Sequence, residues 1–148
     1  MITFRQGRPE DNADVQDLLV MCGMSAEVDA CECLLAEMED KLVGLGRLEE
    51  AEGIAYLRPI AVSPHYQGQG IGHQLMQELL AGRDEVRVVA RGEAAHFYSA
   101  LGLRPMDWDS VYADYREECI HCSEHEQCRP IALRYQAGMD GGRKTEDR

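Results

Sequence analysis

The middle of the chain holds a glycine-rich stretch whose spacing suits it to bind phosphate. The stretch reads Gln67-Gly68-Gln69-Gly70-Ile71-Gly72. An apolar run ends at Pro64, just before it, and a run with helical spacing begins just after it. The order strand, loop, helix aims unpaired backbone N–H groups and the positive end of a helix dipole at one point. Such a point binds phosphate, so the stretch predicts a phosphate-bearing ligand.

Two common nucleotide-binding loops do not fit this spacing. A P-loop ends in a glycine followed by lysine, whereas Gly72 is followed by His73. A dinucleotide-binding loop has the pattern G-x-G-x-x-G after the first strand of its fold. Here the glycines are spaced G-x-G-x-G and follow the fourth expected strand. The stretch therefore predicts neither a nucleoside triphosphatase nor a dinucleotide-dependent enzyme.

Apolar periodicity predicts a mixed α/β fold around this loop. We expect strands at 2–5, 31–37, 42–48, 54–62, 86–90, 103–106 and 130–135, and helices beginning at Pro9, Ile71 and Ala94. Cys31 and Cys33 share one face of the second strand in this interpretation, which favours packing in the core. Pro59, inside the fourth strand, predicts a bulge or an edge. We expect a single domain over 1–137 and a disordered tail over 138–148.

The composition narrows the class of protein. A chain of 148 residues with 45% hydrophobic and 28% charged residues is typical of one globular domain. The net charge of −12 disfavours nucleic acid and anionic membranes as partners, because both attract clustered lysine and arginine. No apolar run approaches the roughly 20 residues of a membrane span, and the first residues do not resemble a secretion signal. We therefore expect a cytoplasmic protein.

Three stretches of the chain resemble motifs of the GNAT N-acetyltransferase superfamily. The glycine stretch, 67–72, resembles that family's Q/R-x-x-G-x-G/A signature, and residues 60–64 resemble the strand that leads into the signature. Residues 94–103 resemble the family's A-x-x-F-Y-x-x-x-G-F helix. The order of elements extends the resemblance to about residues 2–135. It implies an α/β fold with a mixed, mostly antiparallel central sheet, flanked by helices and splayed between the fourth and fifth strands.

The same resemblance implies acetyl-CoA as the cosubstrate. In the family the pantetheine arm pairs with the backbone of the fourth strand, here Ile60, Ala61 and Val62. The amides that the resemblance assigns to the pyrophosphate belong to Gln67, Gly68, Gln69, Gly70, Ile71, Gly72 and His73. A Cβ atom at the glycines of this loop would push the backbone away from the phosphate oxygens, which is a physical reason for glycine there.

The reaction that the resemblance implies is direct attack of an amine on the thioester carbonyl. Tyr98 stands where the family's tyrosine meets the sulfur of CoA, and is therefore the expected general acid. Some family members carry a glutamate base at the position of Tyr56, so that role does not carry over. Glu49, Glu50 and His65 remain as candidate bases, with Glu50 taken first, and a chain of water molecules is a further alternative.

One arginine near the loop bears on the choice of acceptor. Arg58 precedes the expected pantetheine segment by two residues, and its guanidinium group can bind a carboxylate with two hydrogen bonds. An ordinary ion-paired strand arginine is an equal alternative. We expect acetyl transfer to a small-molecule amine, with an amino acid as one candidate. The alternatives are a protein or peptide N-acetyltransferase and a non-catalytic CoA-binding module. Homodimers are common in the family, so a homodimer is a further expectation.

A cysteine- and histidine-rich segment lies near the end of the chain. Cys119, Cys122, His125 and Cys128 recur at every third residue. Three thiolates and one imidazole form a set of ligands suited to a structural zinc ion, and buried reduced cysteines are the alternative. The segment resembles the C-terminal part of short GNAT proteins related to N-acetylglutamate synthase, which favours a small amino acid as the acceptor.

Overall fold

The structure, a computed structural model, describes residues 1–24, 27–123 and 125–137 of the chain. The strands are β1 (Ile2–Gln6), β2 (Cys33–Met38), β3 (Lys41–Ala51), β4 (Ile54–Val62), β5 (Glu85–Ala90), β6 (Arg104–Pro105) and β7 (Ile131–Gln136). The helices are α1 (Asn12–Met21), α2 (Ile71–Leu80), α3 (Ala95–Ala100), α4 (Ala113–Ile120) and α5 (His125–Cys128). None of the helices in these ranges is long and apolar enough to cross a membrane. The tail expected at 138–148 lies outside the described residues.

The strands form one mixed sheet in the order β1-β2-β3-β4-β5-β7-β6. The pairs β1–β2, β2–β3, β5–β7 and β6–β7 are antiparallel. β4 and β5 are parallel neighbours, with Ala55 opposite Val86 and Tyr56 opposite Arg87. This ladder joins the first part of each strand, and both strands continue beyond it. The arrangement confirms the expected mixed, mostly antiparallel sheet flanked by helices.

The chain divides into two compact units that share β3 and β4. The first unit comprises Met1–Glu49 and Leu57–Ala81. The second comprises Glu50–Tyr56 and the described residues from Gly82 onward. The last part of β4 therefore belongs to the first unit, and its first part belongs to the second. The expectation of a single domain over 1–137 stays a prediction.

The first unit contains two apolar clusters. One joins α1 to β2 and β3 through side chains with no exposed surface, namely Val15, Leu19, Leu35 and Leu45. The other joins α2 to the same strands through Ala36, Val43, Ile71 and Leu75. Because adjacent strand residues face opposite sides of a sheet, Leu35 and Ala36 place the two helices on opposite faces. Gly46 lets α2 approach β3 closely, since a Cβ atom there would lie 2.5 Å from Leu79 Cδ1.

An aromatic cluster organises the second unit. The ring of Tyr56 on β4 contacts the ring of Tyr115 on α4 edge to face, with centroids 4.9 Å apart. The ring of Tyr112 contacts the Tyr115 ring in the same way, with centroids 5.0 Å apart. The Tyr56 hydroxyl accepts hydrogen bonds from the Tyr112 backbone N–H at 2.9 Å and from Arg87 Nη1 at 3.4 Å. Tyr56 is only 2% exposed. It therefore anchors the segment that leads into α4.

Several local expectations are wrong. Cys31 lies in a 3-10 turn and is exposed, whereas Cys33 begins β2 and is buried, so the two cysteines do not share a strand face. The turn forms there because the Asp29 carboxylate accepts a hydrogen bond from the Cys31 backbone N–H at 2.9 Å. β4 lies between β3 and β5, which excludes the edge alternative for Pro59, and the bulge stays a prediction. The helices α4 and α5 were not expected from the sequence.

Candidate functional site

The glycine-rich loop joins the end of β4 to the start of α2 within the first unit. Gly68 and Gly70 adopt left-handed backbone conformations, with φ of +83° and +82°. Residues with a side chain reach this region at a cost of about 1–2 kcal/mol, so the path of the loop favours glycine at both positions. A Cβ atom built on either glycine would meet nothing within 4 Å. The space in front of the loop backbone is therefore open.

The start of α2 supplies hydrogen-bond donors beside this open space. The helix begins at Ile71 with Gly70 as its N-cap, and no side chain caps this end. Backbone N–H groups in a first helical turn have no partner within the helix. Those of Ile71, Gly72 and His73 therefore lie at the positive end of the helix dipole. Together with the open surface of the loop, they form a cradle for an anion.

A buried serine fixes the turn that precedes the loop. Ser63 is 4% exposed, and its backbone N–H donates to the Val43 carbonyl at 2.8 Å. Its side-chain oxygen accepts a hydrogen bond from the His65 N–H at 3.3 Å. The Gln67 side-chain amide donates to the Val62 carbonyl at 3.1 Å. These bonds fix how the chain leaves β4 and enters the loop.

The last residues of β4 are held from both faces of the sheet. The Ala61 side chain packs in the α1 cluster, whereas Ile60 and Val62 pack against the α2 cluster. The Cys22 thiol at the end of α1 donates to the Val62 carbonyl at 3.4 Å. The structure therefore brings the strand segment expected to pair with pantetheine and the loop expected to bind pyrophosphate together in one compact unit.

A group of four charged side chains, the Arg58 cluster, includes the arginine expected to bind substrate. Arg58 Nε lies 3.7 Å from Glu49 Oε1, and Arg47 Nη2 lies 3.4 Å from Glu49 Oε2. Arg47 also contacts Glu32 at 3.0 Å, and its Nε donates to the Arg58 carbonyl at 2.7 Å. The Arg58 side chain is 33% exposed. Arg58 belongs to the same unit as the glycine loop, and its side chain remains accessible to solvent.

The expected acid and base both belong to the second unit. Tyr98 on α3 is 6% exposed, and burial raises the pKa of its hydroxyl to about 12. The hydroxyl therefore stays protonated at neutral pH, which is the state that a general acid requires. Glu50 is exposed on β3 and, as the strand neighbour of Glu49, faces the opposite side of the sheet. The catalytic roles of Tyr98 and Glu50 stay predictions.

The structure does not support the expected zinc set. Within 1–24, 27–123 and 125–137, no group of three or more histidine, cysteine or acidic side chains could hold a metal ion. The backbone N–H groups of Cys122 and His125 donate to the carbonyl three residues earlier, at 3.2 and 3.1 Å. Side chains three residues apart in such turns stand in a row along the axis. A tetrahedral site instead requires its ligands to converge on one point.

Two contributors to the site were not expected from the sequence. Ser63 could have been found, because a serine before a proline favours the start of a turn. Arg47 gave a weaker signal in the sequence. Its spacing of two residues from Glu49 along β3 indicates that both side chains share one face of the strand, but not which residues pair with them. The contact of Arg47 with Glu32 joins residues 15 positions apart, and local spacing cannot predict it.

Comparisons with known proteins agree with this geometry. The family described as "Acetyltransferase (GNAT) domain" matches residues 29–104, just over half of the chain. The chain is also 28% identical to L-2,4-diaminobutyric acid acetyltransferase of Vibrio cholerae serotype O1. That alignment covers 83% of this chain and 84% of the relative.

Solved structures share the fold. One of them is N-acetylglutamate synthase from Neisseria gonorrhoeae, complexed with coenzyme A and N-acetyl-glutamate. It matches with a TM-score of 0.74 and 16% sequence identity. The match covers 92% of this chain but only 35% of that synthase. Diaminobutyrate acetyltransferase from Paenibacillus lautus, in complex with L-2,4-diaminobutyric acid and coenzyme A, matches with a TM-score of 0.57 and 16% identity. That match covers 81% of this chain and 77% of the relative. Because the family match spans more than half of its residues, the chain belongs to the GNAT acetyltransferase family and is an acyltransferase.

Proposed function

We propose that the protein is an acetyl-CoA-dependent N-acetyltransferase whose acceptor is a small-molecule amine of the amino-acid class. The observation that supports the proposal most is the cradle formed by the glycine loop and the uncapped start of α2. CoA carries a pyrophosphate group, which needs several donors in a small, open space. The left-handed Gly68 and Gly70 keep that space free of side chains, so the residues present fit this ligand.

The residues that would hold acetyl-CoA follow from this fit. The amides of the loop and of the first turn of α2, 67–73, would bind the pyrophosphate. The backbone of Ile60, Ala61 and Val62 would pair with the pantetheine arm. Acetyl-CoA supplies the thioester, whose carbonyl carbon the amine attacks. A C–N bond forms, the C–S bond breaks, and the departing thiolate takes a proton.

The chain's own residues would move the two protons. Tyr98 would protonate the thiolate, because its buried hydroxyl keeps its proton at neutral pH. Glu50 faces the side of the sheet opposite Glu49 and Arg58, so it would take the proton from the substrate ammonium group through a chain of water molecules. Glu50 is a better candidate than Glu49, because the Glu49 carboxylate contacts both Arg47 and Arg58. Its oxygens are therefore already engaged by two guanidinium groups.

The Arg58 cluster supports an acceptor that carries a carboxylate. Arg58 contacts Glu49 in this cluster, and its side chain is 33% exposed. The exposed part of the guanidinium fork would bind a substrate carboxylate with charge-assisted hydrogen bonds. The Vibrio cholerae relative is named for diaminobutyric acid, which carries both an amine and a carboxylate. We therefore propose that Arg58 binds the carboxylate of the acceptor.

The loop geometry predicts that Gly70→Ala weakens CoA binding about ten-fold or more. Alanine reaches a φ of +82° only with strain, and its methyl group enters the space for the phosphate oxygens. Gly82→Ala is a matched control, since Gly82 has a φ of +76° and equally open surroundings beyond the other end of α2. Isothermal titration calorimetry with CoA measures both variants. Equal affinities of the two variants for CoA would contradict the assignment.

The acid and base assignments predict a loss of kcat without a loss of CoA affinity. Tyr98→Phe keeps the ring packing and lowers kcat about 100-fold, and Glu50→Gln has a similar effect. The exposed Glu52→Gln in the next turn is the control. Because the pKa of Tyr98 is raised to about 12, ionisation of its hydroxyl does not reduce the wild-type rate up to about pH 10. Steady-state rates of the three variants test both assignments, and wild-type rates up to about pH 10 test the raised pKa of Tyr98. A Tyr98→Phe variant with wild-type kcat refutes the assignment of Tyr98 as the acid.

The role of Arg58 predicts a change in specificity rather than in general activity. L-2,4-diaminobutyric acid and 1,3-diaminopropane differ by one carboxylate group. Arg58→Gln raises KM for the first at least about ten-fold, because two charge-assisted hydrogen bonds are lost, and leaves KM for the second unchanged. Kinetics with the two amines measure the ratio. An equal change for both amines would mean that Arg58 acts on the fold and not on the carboxylate.

A further inference from the structure

The cysteine-rich segment, residues 119–123 and 125–129, reaches the start of the helix that contains Tyr98. Gly92 opens a 3-10 turn, Gly92–Ala94, which continues directly into α3. A Cβ atom built on Gly92 would lie 2.8 Å from the Arg129 carbonyl oxygen and 3.5 Å from that of Cys128. The two backbones therefore touch at a place where a side chain at position 92 would separate them.

The cysteine-rich segment places that carbonyl through a series of backbone hydrogen bonds. The Cys122 N–H donates to the Cys119 carbonyl, and the His125 N–H donates to the Cys122 carbonyl. The Arg129 N–H in turn donates to the His125 carbonyl at 3.0 Å. Arg129 then adopts a φ of +45°, in the left-handed region that arginine rarely occupies. A residue remains in such a conformation only where its surroundings determine it.

The helix that receives this contact is short and begins without a side-chain cap. α3 is six residues long. A helix this short is marginal without packing against its neighbours. At its far end, the Tyr98 carbonyl accepts hydrogen bonds from the Leu101 and Leu103 N–H groups at 3.0 and 3.1 Å. At its near end, the turn is closed by the Ala94 N–H, which donates to the Arg91 carbonyl at 2.9 Å, and Gly92 in this turn packs against the Arg129 carbonyl.

We propose that the cysteine-rich segment positions the general acid. The contact between Gly92 and the Arg129 carbonyl sets where α3 begins, and thereby where the Tyr98 hydroxyl stands. The inference rests on the proposed function, because it takes Tyr98 as the acid. Gly92 and Arg129 are positioning residues in this account, since neither touches a reacting atom. The role requires no bound metal ion.

The test is Gly92→Ala, whose added methyl group must displace either the turn or the cysteine-rich segment. We expect kcat to fall about ten-fold, because a small misplacement of a catalytic group slows the chemical step. The affinity for CoA stays within about two-fold of wild type. Glu93→Ala, an exposed change in the same turn, is the control and leaves both quantities unchanged. If Gly92→Ala does not fold, Arg129→Gly replaces it, because glycine accepts the left-handed φ and loosens the segment.

A double-mutant cycle separates positioning from general damage to the fold. If Gly92 acts through Tyr98, Gly92→Ala or Arg129→Gly has no further effect on kcat in the Tyr98→Phe background. A full additional loss in that background overturns the inference, as does an unchanged kcat in both single variants. If Tyr98→Phe lowers kcat but the positioning variants do not, only the positioning role is refuted. If Tyr98→Phe itself has wild-type kcat, both the acid assignment and the positioning role are refuted.

Discussion

The turn from β4 into α2 is the constraint on which the candidate site depends. Gly68 and Gly70 hold left-handed conformations, and α2 starts without a side-chain cap. Backbone N–H groups at such a helix start need an external partner, and an anion satisfies them best. The anchored Ser63 and the apolar clusters on both faces of β4 keep those groups in place. The phosphate site that we propose is therefore formed by the backbone of the loop and of the first turn of α2.

Each compact unit contains some of the candidate residues. The first contains the glycine loop, the last residues of β4 and Arg58, for which we propose binding roles. The second contains Tyr98 and Glu50, for which we propose roles in proton transfer. Tyr56, at the position where some family members carry a glutamate base, instead accepts hydrogen bonds from Tyr112 and Arg87 in a buried aromatic cluster. Its hydroxyl anchors the fold, so the proton acceptor is expected elsewhere.

The sequence predicted the loop, the order of strands in the first half and the strand–helix units, because glycine spacing and apolar periodicity act over a few residues. It did not predict α4, whose only buried side chain is Tyr115, so the helix has no apolar face to recognise. It also failed where one side chain redirects the backbone, as Asp29 does at Cys31. The zinc hypothesis rested on a three-residue repeat, which arranges ligands in a row and does not make them converge. Contacts such as that of Gly92 with Arg129 join distant parts of the chain, and no local pattern reports them.

The most direct test of the central claim is acetyl transfer itself. The full chain is incubated with isotope-labelled acetyl-CoA and four acceptors: L-2,4-diaminobutyric acid, L-glutamate, 1,3-diaminopropane and a peptide with a free N-terminus. Mass spectrometry identifies the products, and a thiol reagent follows the release of CoA. We predict a labelled N-acetyl amino acid that accumulates in step with free thiol and depends on the protein. A protein that binds acetyl-CoA but acetylates none of the four, or acetylates the peptide alone, would contradict the account.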